Sequence, residues 1–219
     1  MRDVRWDRLP ALGVVGLLLA CGGSGGGGGT GPCTPGAATQ LAKNGGDGQS
    51  WYVNNPLPTP LSVIVRDANN CPVPGVGVDW SVITGGGGLS PTHSTTNSAG
   101  IAMTVDSVGA TSPQVIRAGS GTLPSQDFTA TAAAPPTSAA VDVKDNFFSP
   151  QTVDIQAGGT VTWTFAGAAA HTVTFTGGPD SGTPQASGTF GPVTFTSAGT
   201  KSYFCKVHGG MTGTIRVVH

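Results

Sequence analysis

From Trp51 to Ala132 the chain carries short runs in which apolar positions alternate with polar ones or β-branched residues cluster, separated by Gly, Pro, Asn and Asp. Leu61-Ser62-Val63-Ile64-Val65-Arg66-Asp67 and Val76-Gly77-Val78-Asp79-Trp80-Ser81-Val82 are the clearest, followed by Ile101 to Val105, Val115 to Ala118 and Phe128 to Ala132. A period of two puts alternate side chains on one face of a pleated strand, so each run predicts a strand with one buried face. Short strands at this spacing predict a sandwich. A second series begins at Val141: Val141 to Lys144, Thr152 to Gln156, Thr160 to Phe165, His171 to Phe175, Val193 to Phe195, Thr200 to Cys205 and Gly213 to Val218. It predicts a second, compact sandwich over residues 141–219. Between the two, residues 133–140 read as a linker stiffened by Pro135-Pro136.

Composition supports this division. Of 219 residues 36 are Gly and 17 are Pro, every acidic residue is Asp, and only four are Lys. A set so poor in helix formers excludes a helical bundle and predicts an all-β chain, which with the two series of runs gives two β-sandwich domains. Charged residues make up 10% of the chain and the net charge is −1, which leaves no basic footprint for nucleic acid.

The first 20 residues combine Arg2, Arg5 and Arg8 with an apolar run from Leu9 to Ala20. That run is well short of the roughly 20 apolar residues that span a bilayer, so it reads as a secretory signal. Leu18-Leu19-Ala20-Cys21 resembles the bacterial lipobox, which implies cleavage before Cys21 and lipidation of its thiol. The alternative is an ordinary signal peptide with an unrelated Cys. Gly22 to Gly31 is almost pure glycine, which cannot bury a core, and residues 21–50 are assigned to a flexible tether.

The chemistry lies near the C-terminus. Cys205-Lys206-Val207-His208-Gly209-Gly210-Met211 sets a thiolate, an imidazole and a thioether three residues apart, and His171 lies upstream. One Cys, two His and a weak Met make the donor set of a blue-copper centre, because thiolate and thioether suit Cu(I) while imidazole suits both oxidation states. A structural zinc site is ordinarily built from Cys and His without Met.

Phe148-Ser149-Pro150, Val153-Asp154-Ile155, Ala157-Gly158-Gly159-Thr160-Val161-Thr162-Trp163 and His171-Thr172-Val173 fall in an order similar to that of the plastocyanin and amicyanin branch of the cupredoxins. The ligand loop, with two residues between Cys and His and two between His and Met, resembles the short amicyanin type. The resemblance implies a Greek-key cupredoxin fold over residues 141–219 and one type 1 copper ion held by His171, Cys205, His208 and Met211. Thr172 stands where relatives often have Asn, so its hydroxyl or the backbone is expected to tie the His171 segment to the Cys205 segment. His208 is expected to be the electron port. Phe204 replaces a Tyr that plant plastocyanins use as a second port, and the Asp residues at 142, 145, 154 and 180 are too scattered for an acidic docking patch unless folding gathers them. Ala166 to Ala170 and Gly209-Gly210 suggest an apolar docking face around His208, or else merely permissive loops.

In the first domain, Val65 to Asn70, Pro72-Val73-Pro74-Gly75 and Thr95 to Ala102 resemble the bacterial immunoglobulin-like domains of invasin and intimin type, which implies an immunoglobulin-like domain over residues 51–132 that spaces or adheres. His93, in a Ser/Thr-rich stretch, reads as a solvated loop residue. With Cys21 assigned to lipid and Cys205 to metal, Cys33 and Cys71 are left to pair as a disulfide in an oxidising compartment, or to remain two free thiols.

Taken together, these readings give a lipid-anchored copper protein of the cell envelope, facing periplasm or exterior, that passes single electrons to a redox partner such as a cytochrome. No substrate turnover is expected: multicopper oxidases and nitrite reductases need further His ligands, and the chain has only four His. The rival readings are copper sequestration or delivery with the same ligands, and a surface adhesion or structural lipoprotein with an accessory copper site.

Overall fold

The computed structural model describes residues 33–219; the signal segment, Cys21 and the glycine run lie outside the described residues. Nine strands build the first sandwich: β1 (Ala38–Gly45), β2 (Gln49–Tyr52), β3 (Leu61–Asp67), β4 (Gly77–Thr84), β5 (Gly87–Ser90), β6 (His93–Thr95), β7 (Ile101–Val108), β8 (Gln114–Gly119) and β9 (Gln126–Ala133). They form two sheets, ordered β1-β3-β7-β5 and β2-β9-β8-β4-β6. The inward faces of β3 (Leu61, Val63, Val65), β4 (Val78, Trp80) and β8 and β9 (Ile116, Ala118, Phe128, Ala130) meet in one buried cluster, in keeping with the alternation in the sequence.

The tether expected through residue 50 gives way to strand much earlier. β1 pairs antiparallel with β3, and β2 runs parallel to β9. Only Leu41 of β1 is buried, because β1 is an edge strand whose other residues are mostly exposed, and such a strand carries little hydrophobic signal. The linker is likewise shorter than residues 133–140, since Ala133 pairs with Tyr52 and Ser138 to Ala140 pair with Thr160 to Thr162. His93 is not in a loop but opens the edge strand β6, exposed, with Nδ1 2.6 Å from an Asp79 carboxylate oxygen.

Seven strands build the second sandwich: β10 (Ser138–Lys144), β11 (Phe147–Ser149), β12 (Thr152–Gln156), β13 (Gly159–Phe165), β14 (Gly188–Phe195), β15 (Gly199–Phe204) and β16 (Thr212–Val218). One sheet is ordered β11-β10-β13-β14 and the other β12-β16-β15. The chain changes sheet between β11 and β12 and again between β12 and β13, so β10 pairs with β13, and β12 with β16, in parallel. Between the sheets Trp163, Phe175, Tyr203 and Phe148 pack edge-to-face or tilted, with ring centroids 4.7–5.8 Å apart. His171 to Phe175, expected as a strand, forms no ladder. It is held by single bridges, His171 to Gln185 and Thr174 to both Asp180 and Phe204, and all five residues are buried.

Side chains also join the two sandwiches. Arg216 on β16 donates twice to Asp154 on β12, at 2.6 and 2.9 Å, while its guanidinium lies 5.2 Å from the Trp51 ring centroid. Tyr52 donates to the same carboxylate, and Asn55 exchanges two hydrogen bonds with the His219 backbone.

Candidate metal centre

The site is assembled by stitching the His171 segment onto the end of β15. Thr174 and Phe204 exchange backbone hydrogen bonds at 3.0 Å, and His171 exchanges two with Gln185 at 2.8 Å. This brings the Thr172 N–H to 3.4 Å from the Cys205 sulfur, to which it donates. The Thr172 hydroxyl accepts the Lys206 N–H at 2.9 Å and the Thr174 hydroxyl at 3.3 Å. Both routes anticipated for tying the two segments together, hydroxyl and backbone, are therefore used.

The loop from Cys205 to Met211 folds back on itself: the Cys205 N–H donates to the Met211 carbonyl at 3.0 Å, and the Met211 N–H to the His208 carbonyl at 3.3 Å. Gly210 takes φ +82° in this turn, a conformation that costs glycine little. Cys205 Sγ lies 3.8 Å from His171 Nδ1 and 3.6 Å from His208 Nδ1, and the three donor atoms lie within 4.8 Å of one another. The two imidazole centroids are 4.4 Å apart. His171 and Cys205 are buried and His208 is partly exposed. Met211 is buried at the end of the same loop.

Burial works to raise the Cys205 thiol, but hydrogen bonds from the Thr172 N–H, the His208 ring and the Val207 and His208 N–H groups outweigh it and hold the thiol below its ordinary range. A buried sulfur that accepts a backbone N–H, with two imidazole nitrogens converging on it and a thioether-bearing residue closing the loop, fits a soft, borderline metal such as copper. Among the described residues this is the one cluster of three or more His, Cys or Asp side chains able to hold a metal.

Residues 137–218 match the family of copper binding proteins of plastocyanin/azurin type. The second sandwich is a copper-binding cupredoxin domain. The cupredoxin domain brings His171, Cys205 and His208 together, with Met211 buried at the end of the same loop. The chain is similar to a purple cupredoxin from Nitrosopumilus maritimus, at 22% identity over 36% of this chain and 99% of that chain, with a TM-score of 0.31. It is also similar to a mutant fern plastocyanin, at 23% identity over 36% of this chain and 100% of that chain, TM-score 0.31. Similarity to the D0-D1 domain of intimin covers 81% of this chain and 95% of that chain, at 14% identity and TM-score 0.33. No curated protein matches this chain.

Away from this cluster, Cys33 and Cys71 form a disulfide with Cα atoms 5.7 Å apart. The four Asp residues of the cupredoxin domain are each engaged separately: Asp142 with Lys144, Asp154 with Arg216, Asp180 with Lys206, and Asp145 with His171. Two features around the site had no counterpart in the sequence reading. The excursion from Thr176 to Ser187 is fastened beside this cluster, with the Val173 N–H donating to the Ser181 hydroxyl at 2.9 Å and the Lys206 ammonium paired with Asp180. Asp145, 26 residues before His171, places a carboxylate oxygen 3.3 Å from His171 Nε2. Nothing in local spacing marks either contact, since both depend on strands far apart in the chain.

Proposed function

We propose that this protein carries single electrons outside the cytoplasm through one type 1 copper ion held by His171, Cys205, His208 and Met211. The observation that carries the reading is the convergence of two imidazole Nδ1 atoms, at 3.6 and 3.8 Å, on a buried sulfur that already accepts a backbone N–H. Copper, when bound there, supplies the one-electron chemistry by cycling between its two oxidation states. The chain does the rest. Ligand positions are fixed by backbone hydrogen bonds between β15, the His171 segment and the ligand loop, so little rearrangement need accompany a change of charge. His171, fully enclosed, faces the interior. His208, partly exposed, gives electrons a route to a partner.

That route opens beside apolar surface. Val207 is 49% and Phe204 37% exposed, flanking Cys205 and His208, and the small residues Ala166 to Ala170 lead into His171. Such a face suits a brief encounter with a redox protein, a cytochrome or another electron carrier, better than a charge-steered complex. The Cys33–Cys71 disulfide favours an oxidising compartment. Lipidation at Cys21 in turn would tether the protein to an envelope membrane, its acyl chains rather than charge supplying the attachment.

The reading is tested by adding Cu(II) to the metal-free protein. One equivalent is expected to produce an intense blue colour from thiolate-to-copper charge transfer, and Cys205→Ser is expected to abolish it while leaving the strand content unchanged by circular dichroism. A colourless protein that holds Cu(I) and resists oxidation would point instead to sequestration.

A further inference from the structure

We infer that the Asp145 carboxylate is a positioning residue for the buried ligand His171, fixing its ring and strengthening Nδ1 as a donor to the oxidised metal. Three observations place it there. Asp145 occupies the tight turn between β10 and β11, next to Asn146 in the left-handed region at φ +70°, so the side chain projects from a fixed hairpin end. Its two oxygens accept the backbone N–H groups of Ala168, at 3.1 Å, and Ala169, at 2.9 Å, in the loop that leads into His171. And Gly167 leaves the room: a Cβ there would lie 2.4 Å from Asp145 Oδ1. The carboxylate is thus anchored against the ligand segment from two sides before it reaches His171 Nε2 at 3.3 Å.

The chemical consequence follows from the two ring nitrogens. A carboxylate only accepts, so the contact requires the His171 proton on Nε2 and leaves the lone pair on Nδ1, the atom facing the Cys205 sulfur. Negative charge against the N–H pushes electron density toward the opposite nitrogen, as carboxylate partners do for metal-bound histidines generally. A stronger electron donor favours the more highly charged ion, so Asp145 should lower the reduction potential of the centre. This rests on the type 1 copper reading above.

The experiment compares copper-loaded wild type and Asp145→Asn by voltammetry. Loss of a partner of this kind weakens metal affinity by ~10 to ~100-fold. If Cu(II) bears that loss and Cu(I) does not, the potential rises by ~60 to ~120 mV, at ~59 mV per tenfold for one electron. Asp142→Asn, which removes an equal charge from the adjoining strand β10 without touching a ligand, serves as control. Gly167→Ala, which keeps the charge but displaces the carboxylate, is expected to raise the potential as well. An Asp145→Asn potential that is unchanged, lower, or matched by Asp142→Asn overturns the proposal.

A second readout needs no copper. In metal-free protein the His171 Nε2 proton should exchange slowly enough to give a resolved NMR signal, lost to exchange in Asp145→Ala. An identical signal in both proteins overturns the contact. A wild type that never turns blue would defeat the electron-transfer reading while leaving this NMR result to judge Asp145 separately.

Discussion

The buried polar groups beside the metal centre and the buried Asp106 carboxyl of the first sandwich serve different ends. In the cupredoxin domain, His171, Thr172 and Thr174 are buried, and each is engaged across the site by Gln185, Lys206, Phe204 or the Cys205 sulfur. Their cost of burial is offset by bonds that also hold a ligand in place. In the first domain, Asp106 on β7 is fully buried with one partner for its carboxylate, the Gln114 amide at 2.9 Å, and its second oxygen has none. Burial pushes that carboxyl up to about 6, against the lowering effect of Gln114. The buried hydroxyls and imidazole beside Cys205 are thus organised around chemistry, whereas the Asp106 carboxyl is a net expense to a domain whose stability leans on apolar packing and on the Cys33–Cys71 cross-link.

That contrast can be broken by removing each device in turn. The largest effect is expected from the paired Cys33→Ser and Cys71→Ser substitutions. The disulfide closes a loop of 38 residues, and its loss should cost the first domain about 4 kcal/mol by chain-entropy reasoning. Thermal unfolding with copper absorption as the second probe would show whether the metal centre stays intact, as expected.

A smaller change, of opposite sign, is expected from Asp106→Asn. The folded carboxyl binds its proton more tightly than the unfolded one, so folding stability is greatest below about pH 4 for this group and falls as pH rises through about 6. Replacing it with the neutral amide should therefore stabilise the first domain at pH 7 by about 3 kcal/mol, from a shift of roughly two units. The gain should vanish near pH 4. A stability difference independent of pH would contradict this account of Asp106.

The least effect is expected from Thr172→Val in the other domain. It leaves the Lys206 N–H without its acceptor and should cost about 1 kcal/mol. Denaturant unfolding should register that loss in the cupredoxin domain and none in the first.

Legibility followed the same physical lines. β3 and β12 match the stretches anticipated from alternation because their inward residues are apolar and regular, as in Leu61, Val63 and Val65. β1 carries one buried residue, β5 is Gly-Gly-Leu-Ser, and β6 and β11 have three residues each, so none has enough pattern to stand out. The ligand loop was legible because Cys205, His208 and Met211 are contiguous and chemically distinctive. Asp145 and the Asp180–Lys206 pair were not, since their roles arise only when hairpin ends and loops from different strands converge. The His171 segment misled for a related reason: it is buried and rich in β-branched residues, yet only Thr174 pairs with a strand, at Phe204 on the end of β15, and its other backbone bonds go to loops.

The central claim is that the cupredoxin domain cycles one electron at a preformed site. Voltammetry of the copper-loaded protein tests it most directly. A reversible one-electron wave that persists over repeated cycles, and that is absent from Cys205→Ser, is the expected result. Copper that binds but gives no reversible wave, or a wave that survives loss of the Cys205 sulfur, would contradict it.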